Sequence, residues 1–186
     1  MKEVIFTGVA GGIYPELNVG DIVIANDLYQ HDMDASPIIP RHEIPLLGHA
    51  AIASDAKRRK ELKAAAEDLL SEGLANSISP ELRHEFALAS PKVILGDIGS
   101  GDQFISSESA LADLRQRLPN IACVEMEGAA VAQVCEAFHT PFSVIRTISD
   151  SADDDAGIDF PRFIAEIAKL YSLGIIKSLL TKNRNG

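Results

Sequence analysis

Short apolar runs alternate with polar, helix-forming stretches along most of the chain. Each apolar run has the length of a buried strand and ends at a glycine or a polar residue. The runs are Val4–Thr7, Asp21–Ala25, Lys92–Leu95, Ile121–Val124 and Phe142–Ile148. Continuous apolar runs of this kind, separated by helical segments, are typical of parallel strands that are buried on both faces.

The segments between these runs have the composition of helices, being rich in Ala, Leu, Lys and Glu or in small apolar residues. They predict helices over Ser54–Leu70 with Ser54 as the N-cap, over Ser107–Leu118, from the Ile121 run to Cys135, and from Asp159 or Phe160 to Leu180. Alternating strands and helices indicate a three-layer α/β fold, with a mixed, mostly parallel central sheet flanked by helices. No internal repeat or domain boundary is visible, so residues 1–186 are expected to form one domain.

Glycine-rich stretches follow two of the predicted strands, at Gly8–Gly12 and Gly96–Gly101. Both are expected to be turns in which the backbone can approach a ligand closely. Neither matches a phosphate loop or a dinucleotide fingerprint, so no cofactor is assigned. The segment Asn26–Gly48 has no helical period and contains several prolines, which predicts a long loop of the kind that is usually functional or interfacial.

The composition narrows the possible partners. The net charge is −10, which argues against a nucleic acid or an anionic membrane as the main partner. Hydrophobic residues make up 46% and charged residues 24% of the chain, as in an ordinary globular protein. With no signal peptide or membrane-length apolar run, we expect a cytoplasmic protein whose two cysteines, Cys123 and Cys135, are free thiols in the core.

Acidic residues that follow two of the strands are the first candidates for chemistry. Glu125 and Glu127 flank Met126 where the Ile121 run passes into a helix, and Ser149-Asp150 follows the last strand. Carboxylates at the end of an apolar run are costly unless they are paired, hydrogen-bonded or bound to a ligand. The carboxyl ends of strands are also where α/β sheets bind ligands. The alternative is that these acids cap a helix or a loop, or face solvent.

Metal binding is not predicted. His31, Asp32 and Asp34 lie close together, and so do Asp153–Asp155, but neither group has a recognised ligand spacing. Solvated loop charges explain both groups. Phe104 and Ile105 follow the second glycine stretch and could either stack on a ring or belong to the core, and the residues alone leave this open.

Six pieces that span nearly the whole chain form a recognisable series. They are Phe6–Gly12, Val19–Val23, Tyr29–Asp34, Ser100–Ile105, Val124–Ala129 and Val144–Asp150. The series resembles the 5′-methylthioadenosine/S-adenosylhomocysteine nucleosidases of the purine nucleoside phosphorylase superfamily, and the Val-Glu-Met-Glu and Arg-Thr-Ile-Ser-Asp pieces are its specific part. The resemblance implies a cofactor-free homodimer that serves methionine salvage. It would hydrolyse the N-glycosidic bond of an adenine nucleoside and release adenine.

The resemblance also implies a role for each candidate residue. Asp150 would be the acid at purine N7, and Glu127 would bind the ribose hydroxyls. Val9 falls where many members have a serine beside the sugar, so a hydroxyl contact is lost there. The substrate-binding residues would be Val9, Phe104 (stacked on the adenine), Ile105 (bonded through its backbone to the adenine edge), Glu125, Met126 (under the ribose), Glu127 and Ser149 (holding the acid).

Two further implications concern the N-terminus and the long loop. Family members carry an earlier segment, with the first strands and a glutamate that positions the attacking water. Met1–Glu3 cannot supply it, so the chain is expected to be shortened. A nucleoside-binding protein without turnover and a phosphate-dependent phosphorylase therefore stay open, although Gly8–Gly12 has no basic residue to hold phosphate. The loop Tyr29–Leu47 would cross a homodimer interface and help close the neighbouring subunit's alkylthio pocket.

Overall fold

The computed structural model describes residues 1–73, 78–88, 90–151 and 160–182, so the acidic run Asp153–Asp155 and the residue Asp159 lie outside the described part. Within that part the strands are β1 (Val4–Gly12), β2 (Ile22–Gln30), β3 (Ile52–Ala53), β4 (Val93–Ser100), β5 (Ile121–Glu125) and β6 (Phe142–Asp150). The helices are α1 (Ala56–Asp68), α2 (Pro80–Glu85), α3 (Glu108–Arg117), α4 (Gly128–Ala137), α5 (Phe160–Phe163) and α6 (Lys169–Lys182). The π-helical turn Leu69–Gly73 extends α1, and Ile164–Ala168 joins α5 to α6.

The strands form one mixed sheet in the order β3-β2-β4-β5-β1-β6. The longer pairings, β1 with β6, β2 with β4 and β4 with β5, are parallel, and the shorter ones are antiparallel. This confirms the predicted mixed, mostly parallel sheet. Ile22–Ile24 also pairs with residues 145–147 of β6, so the twisted sheet closes on itself. That closure was not predicted.

Helices cover both faces of the sheet, as the three-layer prediction requires. Successive side chains of β2 point to opposite faces, so Ile22 and Ile24 enter one core and Val23 and Ala25 enter the other. The first core is closed by residues of α1 and α6, including Leu62, Tyr171 and Ile175. The second is closed by small residues of α4, namely Ala129, Ala132 and Cys135.

The prediction of glycine turns after two strands was wrong, because both stretches continue as strand. β1 extends to Gly12, and β4 extends to Ser100. The glycines serve close packing between strands instead: a Cβ placed on Gly96 would lie 2.6 Å from the Cβ of Ala122 on β5. A local sequence reading sees the flexibility of glycine but not the neighbouring strand that requires it.

The predicted N-cap of α1 was also displaced by one residue. Asp55 caps the helix, since its carboxylate accepts a hydrogen bond from the Arg58 amide at 2.7 Å. The Ser54 hydroxyl is buried and instead donates to the Ala25 carbonyl at 2.5 Å, which ties the start of the helix to β2. The predicted loop Asn26–Gly48 begins only after Gln30, and the short elements β3 and α2 were not predicted.

Candidate active site

A cavity of about 320 Å³ lies where the ends of β1, β5 and β6 meet. Gly11 pairs with Asp150 of the parallel strand β6 and with Val124 of the antiparallel strand β5, which brings the three ends together. The cavity is lined by Val9, Ala10, Gly11, Gln103, Phe104, Ile105, Val124, Glu125, Met126, Glu127, Ser149, Asp150 and Phe160. A concave, mostly apolar site with a few acids is the usual form of a small-molecule pocket.

Asp150 stands at the end of β6 with a defined orientation. It is buried at 8% exposure, and the Ser149 hydroxyl donates to its Oδ2 at 2.7 Å. The same hydroxyl lies 3.4 Å from the Ala10 carbonyl, so it also links β6 to β1. An acid that is fixed by its neighbour and faces a cavity is placed to exchange a proton with a bound molecule.

Glu125 lies on the inner side of the site, and its carboxylate is bound to protein groups. It pairs with the buried Arg146, whose Nε donates to Oε2 at 3.1 Å. It also accepts hydrogen bonds from the Ser100 hydroxyl and from the amide of Gly128 at 2.9 Å. The Arg146 guanidinium in turn lies 4.4 Å from the centre of the Phe6 ring. The ends of β4 and β5, the start of α4 and the middle of β6 are therefore tied to one buried polar network.

This network also shapes the turn that carries Met126 and Glu127. The amides at the start of α4 are bonded to Glu125 and to the Ser100 hydroxyl, the latter accepting from the Ala129 amide at 2.7 Å. Glu127 occupies the N-cap position, but its side chain makes no capping hydrogen bond. The Glu125 carboxylate instead accepts hydrogen bonds from the first amides of the helix. Met126 and Glu127 are exposed and line the cavity.

Phe104 and Ile105 belong to the loop between β4 and α3, and they behave differently. Ile105 is buried in a small core with Ile13, Leu111 and Val124. Phe104 is 68% exposed and stands at the edge of the cavity. Ile105 is therefore a core residue and Phe104 is not, while stacking of Phe104 on a ring stays a prediction.

All eight residues predicted for the site line this one cavity, while the roles given to them remain predictions. The prediction that Glu3 does not serve the site agrees with its position, since its carboxylate pairs with Arg58 and it does not line the cavity. Sequence reasoning missed five lining residues: Ala10, Gly11, Gln103, Val124 and Phe160. No local pattern marks Phe160, which reaches the cavity from the C-terminal helical region.

Other reactive groups lie away from this chemistry. In the ranges that the structure describes, no three His, Cys, Asp or Glu side chains are grouped so that they could hold a metal ion. Cys123 and Cys135 are both buried free thiols, and burial raises the pKa of each, which opposes formation of a nucleophilic thiolate. Among the described helices, none combines the length and apolarity needed to span a bilayer.

Comparison with known proteins identifies the class to which this fold and site belong. The family model of the phosphorylase superfamily matches residues 1–181, and the chain belongs to that superfamily. Within it, the chain is 35% identical over 182 residues to the 5′-methylthioadenosine/S-adenosylhomocysteine nucleosidase of Bacillus pumilus, covering 97% of this chain and 70% of the relative. The family resemblance predicted from the six sequence pieces is thereby confirmed.

Solved structures extend this similarity to three dimensions. The nucleosidase of Neisseria meningitidis in complex with methylthio-immucillin-A has a TM-score of 0.79 and 34% identity, covering 97% of this chain and 70% of that one. The futalosine hydrolase of Helicobacter pylori has a TM-score of 0.75 and 32% identity, covering 98% of this chain and 69% of that one. The chain is thus similar both to a 5′-methylthioadenosine/S-adenosylhomocysteine nucleosidase and to a futalosine hydrolase.

Proposed function

We propose that this protein hydrolyses the N-glycosidic bond of 5′-substituted adenine nucleosides, of the methylthioadenosine and S-adenosylhomocysteine type, and releases adenine. The observation that carries the proposal is that two acids, Asp150 and Glu127, line the same cavity. Asp150, oriented by Ser149 at 2.7 Å, and Glu127, freed from helix capping, come from different strand ends. The nucleosidase relatives support the same reaction.

At the base end of the cavity, the exposed ring of Phe104 supplies a stacking surface and Ile105 supplies backbone groups for the adenine edge. Asp150 would donate a proton to N7 as the C1′–N9 bond breaks and its electron pair passes to the base. Protonation keeps the departing adenine neutral, which removes the charge that would otherwise build up on the leaving group.

At the sugar end, positive charge develops on the ribose as the base departs. Glu127 would bind the ribose hydroxyls and stabilise this oxocarbenium-like sugar, with Met126 beneath the ring and Val9 beside it. The oxygen of water then bonds to C1′ and loses a proton, which restores the acid form of Asp150. Glu125 supports this arrangement by holding the turn that carries Met126 and Glu127.

The test is adenine release from methylthioadenosine by the purified chain, with and without inorganic phosphate. We expect release that does not depend on phosphate and is lost in Asp150→Asn, while Glu67→Gln, an exposed acid on α1, leaves it unchanged. Dependence on phosphate would support the phosphorylase alternative. Saturable nucleoside binding without release would support the binding-protein alternative. Futalosine should be assayed in parallel, because its hydrolase is also similar to this chain.

We further propose that residues 1–186 form one domain that acts as a homodimer in the cytoplasm. The support for the homodimer is an exposed apolar surface on adjoining elements. Ile38 and Leu46 on the long loop, Val134 on α4 and Phe138 at the C-terminal end of α4 are all exposed. His49, at the end of that loop, pairs with Glu136 of α4 at 3.0 Å, so the two elements lie together. An apolar surface shared by neighbouring elements is typical of an interface.

Light scattering after gel filtration tests this assembly. We expect twice the mass of the chain for the wild type and the mass of a monomer for Phe138→Glu, which places a charge in the apolar surface. Glu67→Gln serves as the control and should stay dimeric. A wild-type monomer at micromolar concentration would contradict the homodimer proposal.

A further inference from the structure

The loop formed by residues 101–106 carries both residues proposed to hold the base, yet it is fixed unevenly. Its far end is held by packing, because Ile105 is buried against Val124 and Leu111. Phe104 is 68% exposed, so core packing does not fix its side chain. The placement of Phe104 over the cavity therefore depends on how the beginning of the loop is held.

The beginning of the loop is held at two points: the Gly101 amide donates to the Glu125 carbonyl at 3.2 Å, and the next residue is held by a residue that follows β2. The Asp32 carboxylate accepts a hydrogen bond from the Asp102 amide at 2.7 Å. One residue earlier, the His31 amide donates to the Ser100 carbonyl at 2.9 Å and extends the β2–β4 ladder. Within the described ranges, Asp32 is the only residue whose side chain hydrogen-bonds the backbone of residues 101–104.

Gly101 makes this contact possible. A Cβ on residue 101 would lie 2.6 Å from Cε1 and Nε2 of His31 and 2.7 Å from Cγ of Asp32, closer than non-bonded atoms can approach. The His31 ring is itself buried at 1% exposure, so it cannot move aside without opening a gap in the packing. There is therefore no room for a side chain at position 101, and the loop backbone lies directly against His31 and Asp32 at the end of β2.

We infer that Asp32 is a positioning residue for the base-binding loop. By holding the Asp102 amide, it sets where Phe104 stands at the edge of the cavity. The inference rests on the proposed function, since binding of adenine is what gives the loop its role. Asp32 does not line the cavity. Its removal is therefore expected to weaken binding of the base more than it slows bond cleavage.

The test compares Asp32→Ala, which removes the acceptor, with Asp32→Asn, which keeps a side-chain oxygen at the same place. The control is Glu67→Ala, since the exposed Glu67 carboxylate pairs with Lys63 within α1 and lies outside the site and the long loop. For Asp32→Ala we expect the Kd for adenine and the KM for methylthioadenosine to rise about tenfold, as for loss of one charge-assisted hydrogen bond. We expect kcat to change less than about threefold, and the other two variants to resemble wild type.

Hydrogen exchange of the ligand-free protein supplies a readout that is independent of any substrate. The amides of residues 102–104 should exchange faster in Asp32→Ala than in wild type or in either comparison variant. Unchanged exchange would overturn the claim that Asp32 holds the loop. Faster exchange with an unchanged Kd for adenine would overturn the claim that Asp32 affects binding of the base. If wild-type protein binds adenine and Asp32→Ala has the same Kd for adenine and the same amide exchange, only this inference is overturned. Wild-type protein that neither binds nor releases adenine overturns the proposed function as well.

Discussion

Replacing Glu125 by glutamine should destabilise the fold strongly. The side chains of Glu125 and Arg146 are 3% and 1% exposed, so they form a buried ion pair. Breaking such a pair by removing one charge costs about 3–5 kcal/mol, because the remaining charge is left buried and uncompensated. The amide oxygen of glutamine can still accept from the Gly128 amide, so the loss reports the ion pair more than the helix start.

Urea unfolding measures this loss. With an m-value of about 2 kcal/mol/M, the midpoint should fall by about 1.5–2.5 M. The double variant Glu125→Gln/Arg146→Met replaces both charges by neutral groups and should recover at least about 2 kcal/mol of the single-variant loss. A single-variant loss below about 1 kcal/mol, or a double variant whose loss equals the sum of the two single ones, would refute the reasoning.

Three further predictions follow from burial and exposure. Burial lowers the pKa of His31 below its ordinary value of 6.5. The free energy of unfolding should therefore fall as the pH drops below about 6.5, because the unfolded chain takes up a proton there that the folded state resists. Urea unfolding at several pH values should show a shallower fall for His31→Gln than for wild type, and equal slopes would contradict this. Phe104→Ala should weaken adenine binding about tenfold by calorimetry, through loss of ring stacking, with little change in Tm because Phe104 is exposed. Cys123 should react with a chromogenic disulfide reagent only after unfolding, since it is fully buried and burial raises its pKa; rapid reaction of two thiols in native protein would contradict the described core.

Much of the site was predictable because its residues sit where local pattern changes. Glu125, Glu127 and Asp150 are acids at the ends of apolar runs. Burying a carboxylate there costs free energy unless it is paired, hydrogen-bonded or bound to a ligand, so the position alone marks these residues as candidates. Each strand contains a short, mostly apolar run, so the existence of the strands follows from composition. The six motif pieces then assigned the chain to the superfamily that the comparison confirmed.

Local pattern could not separate the two glutamates that flank Met126. Glu125 turns inward because Ser100 and Arg146, from β4 and β6, meet its carboxylate there, and Glu127 is left exposed for the same reason. These partners are distant in sequence, so only the tertiary structure brings them together. The segment alone does not say which of the two acids satisfies the start of the helix.

The sequence by itself determined the longer strands and helices, the apolar layers and the set of acids at the strand ends, because each depends on a residue's own chemistry and its near neighbours. The tertiary structure alone decided the closure of the sheet between β2 and β6, the extension of β1 and β4 through their glycines, and the contribution of Phe160 to the cavity. Each of these depends on which distant surfaces meet. Packing, rather than local propensity, sets those distances.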